Sequence, residues 1–335
     1  MALRVDDAAY RTDTGRQRNA NEDSLFTRNP VFVVADGMGG AQAGEVASKA
    51  AAESFDRELP AAPPERILEE TIKAANRTIH AQAQSDPALA GMGTTTTAAI
   101  VDPEAETVAI GHVGDSRAYR YREGKLERLT RDHSLVEEMR RKGQLTEAQA
   151  EDHPQRSIIT RALGPESEVQ VDTLSFSARP GDVFLLCSDG LTTMVKDDAI
   201  AAILAAAPSL DAAVEALIDA ANEAGGRDNV TVVSFRVDDA EGAAVADEGA
   251  TLIGPSAEEA GLSAERVRAA RERQAVRGRE PVEVPRRGRW KTAAKVAAIV
   301  LVIAGIGAAA VFGARQVYFL GIDEGGRVTL YRGLP

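Results

Sequence analysis

A chain of 335 residues with 44% hydrophobic and 27% charged side chains can bury one substantial core. Its formal net charge of -12 excludes the basic face that a phosphate backbone needs, so no nucleic-acid partner is expected. A single cysteine, Cys187, excludes an internal disulfide and fits a reducing compartment; within the apolar run Val183–Ser188 it reads as a buried structural thiol.

The opening Met1–Asp7 has no apolar run of a signal peptide. Residues 4–12 predict a first strand, and Gly15–Ser24 a polar loop that carries Arg18, Glu22 and Asp23. Val31–Ala35 is a β-branched apolar run that predicts a buried strand, ending in Asp36-Gly37-Met38-Gly39-Gly40. Ala-rich periodicity predicts a helix over about 42–59. A second, over about 64–84, follows Pro63-Pro64, with Ile67, Ile72, Ala75 and Ile79 at helical spacing.

The middle of the chain is β-rich. Strands are expected at 94–101, 107–113, 118–121 and 126–129, the last two as a hairpin about Glu123-Gly124, which makes an antiparallel meander. Residues 131–165, rich in Arg, Glu and Gln, read as a flap leaving the sheet. Strands return at 168–176 and 182–187, helices at 197–206 and 209–224, and a last strand covers 230–237.

Acidic residues recur at strand mouths: Asp36-Gly37, Asp115, Asp189-Gly190 and Asp228-Asn229. Any one Asp-Gly pair is an ordinary turn. Several in one core repel unless a cation neutralises them. Carboxylates with backbone carbonyls, and no cysteine or histidine cluster, point to Mg²⁺ or Mn²⁺ over Zn²⁺.

Six segments in order, Arg18–Asp23, Val34–Gly40, Gly91–Thr96, Gly114–Arg117, Ser188–Gly190 and Asp228-Asn229, resemble the motif set of the type 2C metal-dependent protein serine/threonine phosphatases. The likeness spans residues 4–237. It implies an α+β fold, a four-layer α-β-β-α sandwich of two central antiparallel sheets flanked by helices, with metals in a channel at one edge. By resemblance, Asp36 bridges two metal ions, Gly37 offers a carbonyl, Asp189 and Asp228 complete the protein ligands, and Asp115 joins Asp189 at a possible third ion. Glu22 and Asp23 hold metal-bound waters, and Arg18 clamps the phosphate with its planar fork. The implied cofactors are two or three Mn²⁺ or Mg²⁺ ions. A metal pair roughly 3.5–4 Å apart activates water for in-line displacement, with no phosphoenzyme.

One position departs from part of the family. Animal members often carry histidine after the Asp-Gly pair, proposed as the acid for the leaving oxygen; here it is Met38, as bacterial members commonly have. The acid is then unassigned between a metal-bound water and a flap histidine, His133 or His153, each of which reads first as an ordinary surface residue.

Past residue 238 the character changes. Residues 239–289 are acidic and charged with little apolar content, and read as a flexible juxtamembrane linker. Val296 to Ala314 carries no charge over 19 residues and is preceded by Arg286, Arg287, Arg289, Lys291 and Lys295. That predicts a transmembrane helix over 290–316 with its N-terminal side cytoplasmic, and a short extracytoplasmic tail at 317–335. The expected protein is a single-pass bacterial membrane phosphatase whose catalytic domain, 1–238, faces the cytoplasm. Its partners would be phosphorylated proteins, among them membrane serine/threonine kinases and their substrates. Two other readings stand beside it: a regulatory phosphatase of an anti-sigma-factor antagonist, and an inactive module that binds phosphoproteins.

Overall fold

The computed structural model describes residues 2–39, 41–151, 153–240, 250–253, 318–322 and 328–332. The strands are β1 (Leu3–Asp13), β2 (Asp23–Arg28), β3 (Val31–Met38), β4 (Gly93–Thr94), β5 (Thr96–Asp102), β6 (Thr107–Val113), β7 (Arg117–Arg122), β8 (Lys125–Arg128), β9 (Asp172–Ser177), β10 (Val183–Cys187), β11 (Val230–Asp239) and β12 (Ala250–Ile253). The helices are α1 (Ala41–Glu53), α2 (Pro64–Ser85), α3 (Leu135–Arg141), α4 (Glu147–Glu151), the single turn α5 (Asp189–Thr192), α6 (Asp197–Ala206) and α7 (Leu210–Glu223).

One sheet runs β1-β11-β10-β7-β8; the other runs β12-β2-β3-β5-β6-β9, with β4 added beside β3. Every pairing is antiparallel. Between the sheets lies an apolar layer that includes Leu25, Phe32, Val34, Ile110, Phe184, Leu186 and Phe235. Phe32 stacks on Phe235 at 4.1 Å between ring centroids, which joins β3 of one sheet to β11 of the other.

The helices cover the outer faces. Val33 and Ala35 point the other way along β3, into a cluster with Ala47, Ala51, Leu68 and Ile72 of α1 and α2. Leu185, Cys187 and Val232 do the same beneath Leu191, Val214 and Leu217 of α5 and α7. A strand buried on both faces needs an unbroken apolar run, which explains why Val31–Ala35 shows no alternation. The four layers expected from the sequence are present, and Cys187 is buried as expected.

Several boundaries and elements differ from expectation. Residues 23–28, read partly as loop, form β2, because Leu25 and Phe26 are buried on opposite faces of the strand. The first helix stops at Glu53, not near 59, and Phe55 turns into the core just after it. Within the stretch expected to be an unstructured linker, β12 pairs with β2, Ile253 opposite Ser24. Tyr318–Ile322 and Val328–Arg332 pair as two antiparallel strands in the tail, where no element was expected. Among the described residues no helix is long and apolar enough to cross a membrane. The transmembrane helix expected over 290–316 lies outside the described residues.

Candidate metal and phosphate site

The antiparallel ladders bring the acidic residues to one end of the sandwich. Asp23 opens β2 and is the register partner of Asp36 near the end of β3. Asp189 follows β10 and Asp228 precedes β11, and because those neighbours run in opposite directions, their acidic ends coincide. Asp115 follows β6 in the Gly114–Ser116 turn. Asp23 and Asp115 are buried, whereas Asp36, Asp189 and Asp228 are partly open.

The electrostatics show how closely the carboxylates crowd. Burial, and then the charges of Asp23, Asp189, Asp115 and Asp228, hold the Asp36 carboxyl well above its ordinary range. Burial raises Asp23 to about 7, with Asp189 and Asp228 adding to the shift against hydrogen bonds from Thr231 and Ser188. Asp189 rises to about 6, through burial and then repulsion from Asp228. Asp115 is also raised well above its usual value, by burial and then by Asp189 and Asp132. Among the described residues no three acidic, histidine or cysteine side chains form a ready-made closed cage. The cluster is open, and two of its buried oxygens, Asp23 Oδ1 and Asp115 Oδ1, have no hydrogen-bond partner.

The backbone is tightly packed beside the carboxylates. Gly37 lies against Gly44 of α1 so closely that a Cβ at Gly37 would sit 2.2 Å from the Gly44 carbonyl oxygen and 2.5 Å from that of Glu22. The Gly37 N–H donates to Glu22 O at 3.1 Å. A Cβ on Gly44 would meet Glu22 Oε2 at 2.1 Å, so the bare helix face is what admits that carboxylate. Burial raises the Glu22 carboxyl, and the Arg18 charge opposes the shift. Arg18 is half-exposed above the cluster, its Nη2 donating to Asp228 Oδ2 at 2.7 Å. All eight residues singled out in the sequence are therefore gathered at this end.

Other residues hold the cluster and went without a role in the sequence reading. Asn229 is buried and spends its amide on the Arg18 loop. Its Oδ1 accepts from the Glu22 N–H at 2.8 Å, and its Nδ2 donates to the carbonyls of Thr14 and Ala20, both at 2.9 Å. Thr95 brackets Asp36, its N–H donating to Asp36 O at 2.9 Å and its Oγ1 accepting from Asp36 N at 3.0 Å. Thr231 Oγ1 donates to Asp23 Oδ2 at 2.6 Å. The signal was present as the polar runs Gly93–Thr97 and Asp228–Thr231, whose partners are too distant in sequence to name.

The histidines differ from expectation. His133 is buried, not a surface residue: its Nδ1 accepts from the Gly114 N–H at 3.0 Å and its Nε2 faces Asp172 Oδ2 at 3.2 Å. Burial lowers its pKa, against the pull of Asp172. His153 Nδ1 accepts from the Gln155 N–H at 3.2 Å within the flap. Ser134 caps α3 by accepting from the Glu137 N–H. A cleft beneath the flap runs from Asp115 and Asp189 past Thr192 to Arg156.

Residues 15–230 match the family model described as protein phosphatase 2C. The chain belongs to the protein phosphatase 2C family. It is 41% identical over 238 residues to the serine/threonine phosphatase stp of Listeria innocua, covering 68% of this chain and 94% of that one. It is also 41% identical over 228 residues to the serine/threonine protein phosphatase PstP of Mycobacterium tuberculosis, covering 67% of this chain but 44% of that protein. The crystal structure of that phosphatase, PstP/Ppp, superposes with a TM-score of 0.66 at 38% identity, covering 71% of this chain and all of the other. Another superposed structure is the catalytic domain of PstP in complex with two manganese ions, with a TM-score of 0.65 at 37% identity over 71% of this chain. The phosphatase 2C fold thus occupies the described N-terminal unit.

Proposed function

We propose that this phosphatase 2C chain hydrolyses phosphoserine and phosphothreonine in proteins at the acidic end of its sandwich. The observation that carries the reading is the convergence there of five aspartates from separate motifs, two with unpartnered buried oxygens. Such a cluster is costly alone and is relieved by divalent cations, and an all-oxygen donor set suits Mn²⁺ or Mg²⁺. Asp36, the Gly37 carbonyl, Asp189 and Asp228 would hold two ions, and Asp115 with Asp189 a third. Bound there, the metals supply Lewis acidity and a water that is nucleophilic at neutral pH.

The chain's own residues do the rest. Arg18, planar and always charged, reaches over the mouth to grip the non-bridging oxygens of the phosphate. Glu22 and Asp23 accept hydrogen bonds from water and orient it toward phosphorus. The ladder pairing of Asp23 with Asp36 and the Thr95 bracket keep these groups in place before substrate arrives, so little reorganisation is needed. Met38 has no proton to give, and His133 is committed to Gly114 and Asp172, so neither of these two serves as the acid for the leaving oxygen.

The test is turnover of a phosphothreonine peptide by the full chain with Mn²⁺, with chelator, and with Asp36→Asn. Metal-dependent hydrolysis that the substitution abolishes is the expected result. A folded, metal-supplied protein without turnover would replace this reading with a module that only binds phosphoproteins.

For its setting, the uncharged run Val296–Ala314 with its basic flank supports a single-pass membrane anchor and a cytoplasmic catalytic domain, residues 1–238, joined by the segment 239–289. Anchoring would place the enzyme beside membrane serine/threonine kinases and their substrates. Fractionation of cells that express the full chain should leave it with the membranes, and removal of residues 290–335 should release it. Kinase phosphorylation that stays unchanged when the protein is deleted would count against the pairing.

A further inference from the structure

Both ends of the flap meet at one residue. His133 donates its backbone N–H to Gly114 O at 2.7 Å, while its ring Nδ1 accepts the Gly114 N–H at 3.0 Å. Its carbonyl accepts from Thr160 N at 2.8 Å, on the returning limb of the flap. Because Nδ1 accepts, the ring proton is on Nε2, directed at Asp172 Oδ2 at 3.2 Å. Arg161, also on the returning limb, donates from Nη1 to the other oxygen of Asp172 at 2.6 Å; that Nη1 lies 3.0 Å from His133 Nε2, so both N–H groups are directed at Asp172 and not at each other. The His112 ring packs against the His133 ring at 4.8 Å between centroids, and its Nε2 sits 2.9 Å from Arg131 O.

Gly114 is itself immobilised. Its φ is +113°, and a Cβ there would lie 2.5 Å from Thr95 Cβ, so the turn rests directly on the residue that brackets Asp36. Thr95 Oγ1 also bonds Ser116 Oγ at 2.7 Å, on the far side of Asp115. The Asp115 carboxylate is therefore carried by a turn whose one flank is gripped by His133 and whose other flank is gripped by Thr95.

We propose that His133 is a positioning residue. Its ring and main chain clasp both limbs of the flap to the Gly114–Ser116 turn, and so hold Asp115 in register with Asp189. The inference rests on the reading of Asp115 and Asp189 as metal-holding residues. It assigns His133 no contact with substrate and no proton transfer.

The test uses the full chain with Mn²⁺ as the probe. His133→Phe keeps the ring's bulk and removes both nitrogen contacts; His133→Asn puts an amide oxygen back where Nδ1 accepted. In the Phe variant, the weakest Mn²⁺ step in calorimetry should loosen about tenfold, the effect of one lost hydrogen bond. The kcat on a phosphothreonine peptide should fall in parallel, while KM stays within about twofold, since Arg18 and the mouth are untouched. The Asn variant should recover most of both losses.

A parental Mn²⁺ isotherm and kcat in His133→Phe would overturn the proposal. So would an Asn variant no better than Phe, or a lowered melting temperature with metal binding and kcat per folded molecule unchanged. If His133→Phe does not fold, Asp172→Ala frees the Nε2 end of the ring and should produce the same losses to a lesser degree; parental values there would equally overturn it. Absence of Mn²⁺-dependent turnover in the unsubstituted chain would instead defeat the phosphatase reading on which the clasp rests.

Discussion

Asp23 and Asp36 are direct cross-strand partners, the first residue of β2 facing the sixth residue of β3. Like charges opposed on a ladder are destabilising, and here one of the pair is fully enclosed. The fold therefore carries its active end as a stored electrostatic cost that a cation relieves.

That cost can be removed at the expense of function. Asp23→Asn keeps an oxygen to accept from Thr231 and deletes one charge. In metal-free protein, the Asp23 carboxyl titrates near 7 folded against 3.8 as the ordinary value. The folded state thus binds the extra proton, and the stability it contributes is present at low pH and lost as pH rises through about 7. The melting temperature of the chelated Asn variant should therefore match the parent near pH 4 and exceed it at pH 8, by about 2–4 °C for each kcal/mol of relieved repulsion. Its kcat should fall. Equal melting curves at pH 8 would mean that the two carboxylates do not oppose one another.

Metal uptake should expel protons. With Asp189 titrating near 6 and Asp23 near 7, a chelated protein at pH 6 holds protons that Mn²⁺ must displace. Calorimetry in buffers of different ionisation enthalpy should show proton release at pH 6, of which the share from Asp189 and Asp23 shrinks by pH 8. Apparent affinity should climb with pH over the same window. A buffer-independent heat at pH 6 would contradict the assignment.

Arg18 sits half in solvent on Asp228, so its ion pair contributes little to folding. Arg18→Lys should change stability by less than about 1 kcal/mol. By giving up the planar fork it should raise KM for a phosphopeptide about tenfold, in line with one charge-assisted hydrogen bond. Steady-state kinetics beside a thermal melt separate the two effects.

Asn229 behaves differently because it is enclosed. Asn229→Ala strands the Glu22 N–H and the Thr14 and Ala20 carbonyls, with an expected loss on the order of 3 kcal/mol, measurable by chemical denaturation. Asn229→Asp keeps the acceptor for Glu22 but cannot donate to the carbonyls, and adds a charge beside Asp228. It should be at least as damaging.

Much of this was legible along the chain. The apolar run Val31–Ala35 announced a strand buried on both faces, and the spacing of Ile67, Ile72 and Ile79 announced α2, because burial imposes its period on local sequence. β2 was less legible: its apolar pair is short and flanked by polar residues. β12 was hidden because backbone pairing to a sheet edge places little demand on side chains. His133 was misread as a surface residue because a polar residue in a charged segment gives no sign of the partners that enclose it.

By itself the sequence determined which residue types stood at the strand mouths, how many carboxylates there were, and which layers the apolar periods would build. Those are local properties, set by covalent order and by water's exclusion from apolar side chains. Only the tertiary structure decided that Asp23 opposes Asp36, that Asn229 binds Ala20 in the loop of Arg18 across 209 residues of chain, and that His133 closes the flap upon Gly114. Such contacts are pairings between distant segments. Their geometry exists only once both sheets have stacked and brought the strand ends together.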